Sequence, residues 1–203
     1  MPRPKKTDSE IQVMREQILD TALSILQESG PQAISSRAVA ERLGVAHMSL
    51  FTYFKNQPAI LNALREREMT KWRTRQEQIG QRAQTEDVAL VVEELLKMFC
   101  DFARENPNLY RLAWVMQEAT GESPQENRQR ILRTVSHLAT LLKSGMEQGR
   151  FEARDPFLAA SVVLGMVNTP FILFHTGKMM DPDLRDQKVD EVLSAALDYL
   201  KIK

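Results

Sequence analysis

Hydrophobic residues recur along the chain at intervals of three and four, the spacing of amphipathic helices. Ile11, Met14, Ile18, Ala22 and Ile25 show this spacing in the first stretch, and Gly30-Pro31 ends it. The sequence lacks alternating Val/Ile/Thr runs and Asn-Gly hairpin signals. The pattern predicts an all-α protein of about nine helices, at residues 9–29, 36–43, 47–54, 57–80, 86–105, 107–120, 124–148, 156–176 and 182–201.

Capping residues mark where these helices start and end. Ser9 with Gln12 three residues later predicts a capping box for the first helix. Later starts pair a capping residue with proline, since the cap satisfies a free N–H and proline at the first helical position needs no donor. These pairs are Asn106-Pro107, Ser123-Pro124, Asp155-Pro156 and Asp181-Pro182, and glycines at 121, 149 and 177 mark helix ends.

Charge and cysteine content narrow the class of protein. The net charge of the 203 residues is zero, yet residues 1–75 hold 12 Lys and Arg against 8 Asp and Glu. This excess of positive charge indicates nucleic-acid contact near the N-terminus. The single cysteine, Cys100, lies in an apolar stretch, so we expect a buried thiol in a reducing cytoplasm.

Enzyme and membrane signatures are missing from the sequence. It has no Gly-rich phosphate loop, no HExxH, and no Glu-x-x-His pair among its three histidines. We therefore predict no catalysis, no cofactor and no metal site. The longest apolar stretch, residues 157–174, is interrupted by polar residues, glycine and proline, and no signal peptide starts the chain. The expectation is a cytoplasmic protein that does not enter a membrane.

The segment SSRAVAERLGVAHMSLFTYFKNQPAIL, residues 35–61, carries the candidate chemistry. Its first helix directs Val39, Ala40 and Leu43 inward, and Gly44 permits the left-handed turn that two closely joined helices need. The next helix is expected to turn small and polar residues outward and Leu50, Phe51 and Phe54 toward the core. A short helix with such a face can enter the major groove of DNA.

This segment resembles the helix-turn-helix of the TetR family of bacterial regulators. Val39-Ala40 and Leu43-Gly44-Val45 resemble the family's Ile-Ala-x-x-Ala-Gly-Val turn. Residues 50–54, Leu-Phe-Thr-Tyr-Phe, resemble the end of its recognition helix, and Ile60-Leu61 the entry to the following helix. The resemblance covers about residues 10–65. It implies a DNA-binding domain at 9–55 and a ligand-binding and dimerisation domain at 56–203.

The resemblance implies a sequence-specific transcription regulator, a repressor released from a palindromic operator by a small, largely apolar ligand. Three residues depart from the family pattern: Phe51 replaces a tyrosine, Gln57 a lysine and Ala46 a serine. Each change removes a phosphate contact or a cap, which affects affinity more than sequence choice. The alternative is a helical partner-binding or structural protein that keeps the fold without binding an operator, and Phe51 and Gln57 are its support.

Residues of the predicted DNA contact fall into three groups. We expect contact with phosphates or groove edges from one group, with base edges from a second, and with the minor groove from a basic N-terminal arm. The groups are Arg37, Thr52, Tyr53 and Lys55; then Ala46, His47, Met48 and Ser49; and finally Lys5 and Lys6. Two alternatives stay open: His47 as a solvated turn residue, and Met48 as a packing residue rather than a contact to a thymine methyl.

The last two predicted helices, 156–176 and 182–201, have long apolar surfaces, and the resemblance implies that they form the interface of a homodimer. An isologous dimer suits a palindromic site. Gly165 and Pro170 are expected to bend the helix at 156–176 and leave room for a small-molecule effector. Predicted ligand-binding residues are Phe99, Phe102, Tyr110, Trp114, Met116, Leu142, Met146, Met166, Asn168, Phe171 and His175.

Overall fold

The computed structural model describes residues 7–201, apart from the side chains of residues 117 and 118, and every regular element in this range is helical. The all-α class is therefore confirmed. The α-helices are α1 (Asp8–Ser29), α2 (Ser36–Leu43), α3 (Gln57–Gln81), α4 (Val88–Glu105), α5 (Pro107–Tyr110), α6 (Pro124–Glu147), α7 (Pro156–His175) and α8 (Pro182–Leu200). Short 3-10 helices lie at Pro31–Ala33, His47–Thr52, Arg82–Gln84 and Gln117–Thr120, and a π-helix lies at Arg111–Val115.

Two predicted helices differ in kind from those observed. The helix predicted at 47–54 is a six-residue 3-10 helix, His47–Thr52. The helix predicted at 107–120 is a four-residue α-helix followed by a π turn and a 3-10 turn. Hydrophobic spacing over so few residues does not distinguish three residues per turn from 3.6 or more.

Helix caps agree with the sequence at the starts of α6, α7 and α8. Asn106, predicted to cap the helix at 107, instead donates its side-chain amide to the Phe102 carbonyl at the end of α4, at 3.3 Å. The Ser123–Glu126 capping box is present, and Asp155 and Asp181 cap α7 and α8. The predicted box at Ser9 and Gln12 is wrong: Thr7 accepts the N–H of Glu10 at 3.2 Å, and Glu10 accepts the N–H of Thr7 at 2.8 Å. The same Ser/Thr-x-x-Glu pattern occurs two residues earlier, and a glutamate is the stronger acceptor.

The chain divides into two compact units. The first comprises the described residues up to Met69 together with Asn108–Glu122, and the second comprises Thr70–Pro107 and the described residues from Ser123 onward. In the first unit, α1, α2, the 3-10 helix His47–Thr52 and the first half of α3 surround one apolar core, which includes Ile18, Leu26, Val39, Leu50 and Leu64. Fully buried Leu112, from the distant segment 108–122, belongs to the same core.

Polar contacts also hold segment 108–122 within the first unit. Asn108 donates to the backbone oxygen of Gln27 at 3.4 Å, and the guanidinium of Arg111 donates to the side-chain oxygen of Gln32 at 3.4 Å. Gly121 lies against Pro58, near the start of α3. The first unit is thus built from two separate stretches of sequence.

Arg65 of α3 forms the central polar contact of the first unit. Its side chain is buried, with the residue only 1% exposed, and its two terminal nitrogens lie 2.9 and 3.0 Å from the carboxylate oxygens of Glu122. It also donates to Asn62 at 2.7 Å and to Thr120 at 3.2 Å. The bidentate pair with Glu122, together with Glu66 at 3.2 Å, supplies the opposite charge that a buried guanidinium requires.

In the second unit, α7 packs between α6 and α8. Its buried side, which includes Ala160, Val163, Val167 and Phe171, faces the unit's own core. Among the described residues, α7 is the one helix long and apolar enough to cross a membrane, and 33% of that apolar stretch is buried within the chain. A helix at a protein core or interface has the same composition, so α7 by itself is weak evidence for a membrane span.

Replacing the buried carboxylate in Glu122→Gln should lower the free energy of unfolding by about 3 kcal/mol, because the buried Arg65 charge loses its bidentate partner and keeps only the half-exposed carboxylate of Glu66, at 3.2 Å. Urea denaturation followed by circular dichroism measures the change. The control is Glu28→Gln, which removes the partner of Arg42 in an exposed pair at 2.7 Å and should scarcely move the midpoint. Equal effects of the two substitutions would contradict a structural role for Arg65–Glu122.

Candidate nucleic-acid interface

A left-handed turn at Gly44 joins α2 to the 3-10 helix His47–Thr52. Ser35 starts α2 by accepting the N–H of Ala38 at 3.0 Å, and Gly44 ends it with φ 67° and ψ 29°. The N–H groups of Gly44 and Val45 bond back to the carbonyls of Glu41 and Ala40, at 3.1 and 3.0 Å. Glycine takes this conformation without the steric cost that a Cβ brings. The turn sets the direction in which the next helix leaves α2.

Residues behind the 3-10 helix hold it against the core. Leu50, Tyr53 and Phe54 are buried among the side chains of the first unit. Arg15 of α1 donates a hydrogen bond to the Tyr53 carbonyl oxygen, and its guanidinium lies 4.1 Å from the centre of the Phe54 ring. This role of Arg15 could not be predicted from the sequence, since the pattern of an amphipathic helix does not distinguish it from a solvent-exposed arginine.

The opposite face of the 3-10 helix is open to solvent. Ala46, His47, Met48, Phe51 and Thr52 are all exposed, with Met48 72% and Phe51 41% accessible. The rings of His47 and Phe51 meet edge to face with centroids 5.3 Å apart. We name residues 46–52 the exposed segment.

Two aromatic side chains lie on the opposite sides from those predicted. Phe51, expected to face the core, is exposed, whereas Tyr53, expected at the DNA, is only 7% accessible. In a 3-10 helix residues three apart share a face, so Tyr53 follows Leu50 inward and Phe51 follows Met48 outward. The assignment of Tyr53 as a phosphate or groove contact is therefore corrected: its ring belongs to the core.

Other predicted DNA contacts are accessible or have local partners. Arg37 and Lys55 are exposed. Ser49 is half-buried, and its hydroxyl donates to the Ala46 carbonyl at 2.6 Å, which stabilises the start of the 3-10 helix. Lys5 and Lys6 lie outside the described residues. The Gln57 side chain, at the position of the family lysine, donates to the Ile34 carbonyl at 2.7 Å and so has a structural role in the first unit.

Predicted ligand-binding residues are shared between the two units. In the second unit the ring centroids of Phe99 and Phe171 lie 6.2 Å apart. The Trp72 ring packs against both Phe99 and Phe102, with centroid distances of 6.3 and 5.8 Å. We name these four residues the aromatic cluster. Trp72 was not among the predicted ligand-binding residues, because it lies in the polar, charged second half of α3.

The other ligand-binding candidates lie in segment 108–122, in α6 and in α7. In the first unit Tyr110 stacks on Trp114 with centroids 5.2 Å apart, and burial raises the pKa of the Tyr110 hydroxyl. The remaining candidates are buried Leu142 and half-buried Met116, Met146, Met166, Asn168 and His175. Helix α7 continues as one helix through Gly165 and Pro170. Among the described residues no group of three or more His, Cys, Asp or Glu side chains is placed to hold a metal ion.

A capped helix, a glycine turn and an exposed short helix on a shared core define a helix-turn-helix module. Comparison with known families agrees: "Bacterial regulatory proteins, tetR family" matches residues 18–64, and "Tetracyclin repressor-like, C-terminal domain" matches residues 83–193. The second match spans more than half of the chain. The chain therefore belongs to the TetR family, and the resemblance found in its sequence is confirmed.

Individual relatives match either the N-terminal part or most of the chain. The class C tetracycline repressor of Escherichia coli is 41% identical over 58 residues, which is 29% of this chain and 26% of that protein. The chain thus aligns with about a quarter of that repressor's length. The fatty acid metabolism regulator of Bacillus subtilis is 30% identical over 159 residues, covering 75% of this chain and 78% of the regulator.

A solved structure shows the same fold over nearly the whole chain. The transcriptional regulator FadR from Bacillus subtilis, in complex with stearoyl-CoA, superposes with a TM-score of 0.69. The alignment covers 91% of this chain and 98% of that one at 19% identity. At this identity the likeness shows the fold alone.

Substituting Gly44 tests how much its left-handed backbone conformation costs a residue that has a Cβ. A Cβ at Gly44 meets no atom within 4 Å, so the cost of Gly44→Ala comes from the left-handed backbone. We expect a loss of about 1 kcal/mol in the free energy of unfolding for Gly44→Ala, and a smaller loss for Gly44→Asn, because asparagine tolerates this conformation. Denaturation of the two variants measures both, and an equal or larger loss for Gly44→Asn would contradict this explanation.

Proposed function

We propose that this protein is a sequence-specific DNA-binding transcription regulator, a repressor that a small, largely apolar ligand releases from a palindromic operator. The observation that carries the proposal is the exposed segment, which the Gly44 turn places after α2 and which packs on a buried apolar core. A short exposed helix with this support can enter the major groove without reorganisation of its backbone. Membership of the TetR family supports the same function.

Exposed cations next to the exposed segment supply the contacts with phosphate. Arg37 lies in the first turn of α2 and Lys55 follows the 3-10 helix, so one cation lies on each side of the segment in sequence. Thr52 adds an exposed hydroxyl. These groups would fix the position of the module on the duplex, while Ala46, His47 and Met48 meet the base edges. Lys5 and Lys6 would extend this contact along the minor groove.

Helices α7 and α8 supply the surface for a second copy of the chain. Away from its buried side, α7 has Leu158, Val162, Gly165, Thr169 and Ile172, spaced alternately four and three residues apart. This is the spacing at which paired helices pack along a common seam. All five residues are exposed or half-buried in the single chain, and a dimer would cover this face of α7.

The aromatic cluster favours a largely apolar effector. Its four rings supply broad apolar contact, and the chain's ten methionines suit an adaptable cavity. FadR, which has the same fold, binds stearoyl-CoA in its solved structure, a ligand with a long apolar chain. A ligand can release DNA only by the difference in its affinity for the DNA-binding and free conformations.

The alternative function, a helical partner-binding protein without an operator, loses part of its support. Gln57, one of the two departures that favoured it, bonds to the Ile34 carbonyl and stabilises the module. The exposed ring of Phe51 remains compatible with either function. Salt dependence separates them, because binding to DNA weakens steeply as counter-ions compete for phosphates.

The purified full chain should select a palindromic duplex from a random pool and bind it as two chains per duplex. Lys55→Ala should lower the slope of log affinity against log salt by about one, the contribution of one phosphate contact. Fluorescence anisotropy over a range of salt measures the slope. Lys97→Ala is the control, since Lys97 is an exposed lysine of α4, in the second unit, and should leave the slope unchanged.

Two results would contradict the proposal. If the protein binds no duplex at low salt, it is not a DNA-binding regulator. If it binds an isolated half-site as tightly as the palindrome, the dimer does not position two modules together.

A ligand at the aromatic cluster should change the fluorescence of Trp72. The chain has two tryptophans, so Trp114→Phe leaves Trp72 as the sole reporter. We expect acyl-CoA thioesters of increasing chain length to alter Trp72 emission and release the duplex over the same concentration range, and free coenzyme A to do neither. Binding without release of DNA would contradict ligand-controlled repression, and responses that do not grow with chain length would contradict an apolar site.

A further inference from the structure

We infer that the exposed segment recognises the C5-methyl groups of thymines, so that apolar contacts rather than bidentate hydrogen bonds select the operator. This inference rests on the proposed DNA-binding function and specifies the class of sequence that the protein binds. Three observations carry it: the residue types of the segment, the exposure of its apolar side chains, and the charges beside it.

Side chains that make bidentate contacts with bases are missing from the 3-10 helix and from the two residues on each side of it. Lys55, Asn56 and Gln57 follow directly, but Asn56 accepts the N–H of Ala59 at 3.0 Å and Gln57 donates to the Ile34 carbonyl at 2.7 Å. Residues 45–54, VAHMSLFTYF, include no Arg, Lys, Asn, Gln, Asp or Glu. Arginine and lysine read guanine, asparagine and glutamine read adenine, and carboxylates accept from cytosine. The Ser49 hydroxyl donates to the Ala46 carbonyl, so only its acceptor lone pairs are left for a base. Hydrogen-bond readout from this helix is limited to His47, Thr52 and the Ser49 acceptor, and none of the three is a bidentate reader.

Apolar atoms dominate the accessible surface instead. Met48 and Phe51 lie three residues apart on the same face of the 3-10 helix, and both are exposed. The edge-to-face contact with His47 restrains the Phe51 ring at the surface. In the major groove the thymine methyl is the apolar group that a base pair presents, and apolar side chains contact it. Burying Met48 and Phe51 against such methyls would remove both partners from water.

Charge favours DNA over a protein as the occupant of this surface. Arg37 and Lys55 are exposed, and neither forms an ion pair with any residue that the structure describes. An apolar centre with an exposed cation on each side of it in sequence matches a duplex, in which methyl groups lie between two phosphate backbones.

The test uses the full chain and the duplex that it selects from a random pool. Replacing each dT of the half-sites by dU removes only the methyl group and leaves hydrogen bonds and phosphates in place. We expect affinity to fall about fourfold for each contacted methyl, because that factor corresponds to the free energy of burying one methyl group. The salt slope should not change, because it reports phosphate contacts.

Substitutions in the protein identify which side chain causes the preference for thymine. Met48→Ala should reduce the preference for thymine over uracil at one or more positions. Met48 is 72% exposed, so the substitution should leave the fold intact, which circular dichroism checks. Leu90→Ala, which truncates an exposed apolar residue of α4, should keep the full preference.

Equal affinity of the native chain for thymine and uracil duplexes would overturn the inference and favour a protein as the occupant of the surface. An undiminished preference in both Met48→Ala and Phe51→Ala would also overturn it. Failure to bind any duplex at low salt is a different result, because it removes the proposed function itself.

Discussion

The left-handed turn at Gly44 is the constraint on which the candidate site depends. It ends α2, bonds back to two carbonyls of that helix, and directs the chain into the 3-10 helix His47–Thr52. Leu50, Tyr53 and Phe54 then fix the inner side of the helix in the core, and Arg15 holds its end from behind. The outer side is left with Met48 and Phe51 in solvent. Backbone geometry at one residue therefore determines which side chains are available to a partner.

The support for this module extends beyond the residues adjacent to it in sequence. Leu112 completes its apolar core, and the buried pair Arg65–Glu122 joins α3, the helix that follows the exposed segment, to segment 108–122. Tyr110 and Trp114 lie in that same segment. A change in the conformation of residues 108–122 would therefore alter the packing of the helix-turn-helix.

Sequence alone predicted the helix-turn-helix well, because its determinants are local: the Ser35 cap, Gly44, and inward-facing Val39 and Leu50. The orientation of Phe51 and Tyr53 could not be predicted, since it depends on a 3-10 rather than an α-helical turn over six residues. Arg65–Glu122 and Leu112 are long-range contacts that no local pattern encodes. Aromatic positions in α4 and α7 were found from sequence, but their contact with Trp72 depends on packing between helices.

The central claim is that a symmetric pair of exposed segments enters successive major grooves of one duplex. A spin label attached through Met48→Cys on each chain measures their separation directly. Cys100 should stay unlabelled, because it is fully buried and burial raises the pKa of its thiol to about 12. On a bound palindrome, electron paramagnetic resonance should give a narrow distribution of distances between the two labels, centred at about 34–36 Å, which is one helical turn of DNA. A broad distribution that the duplex leaves unchanged, or no measurable pair, would contradict the account.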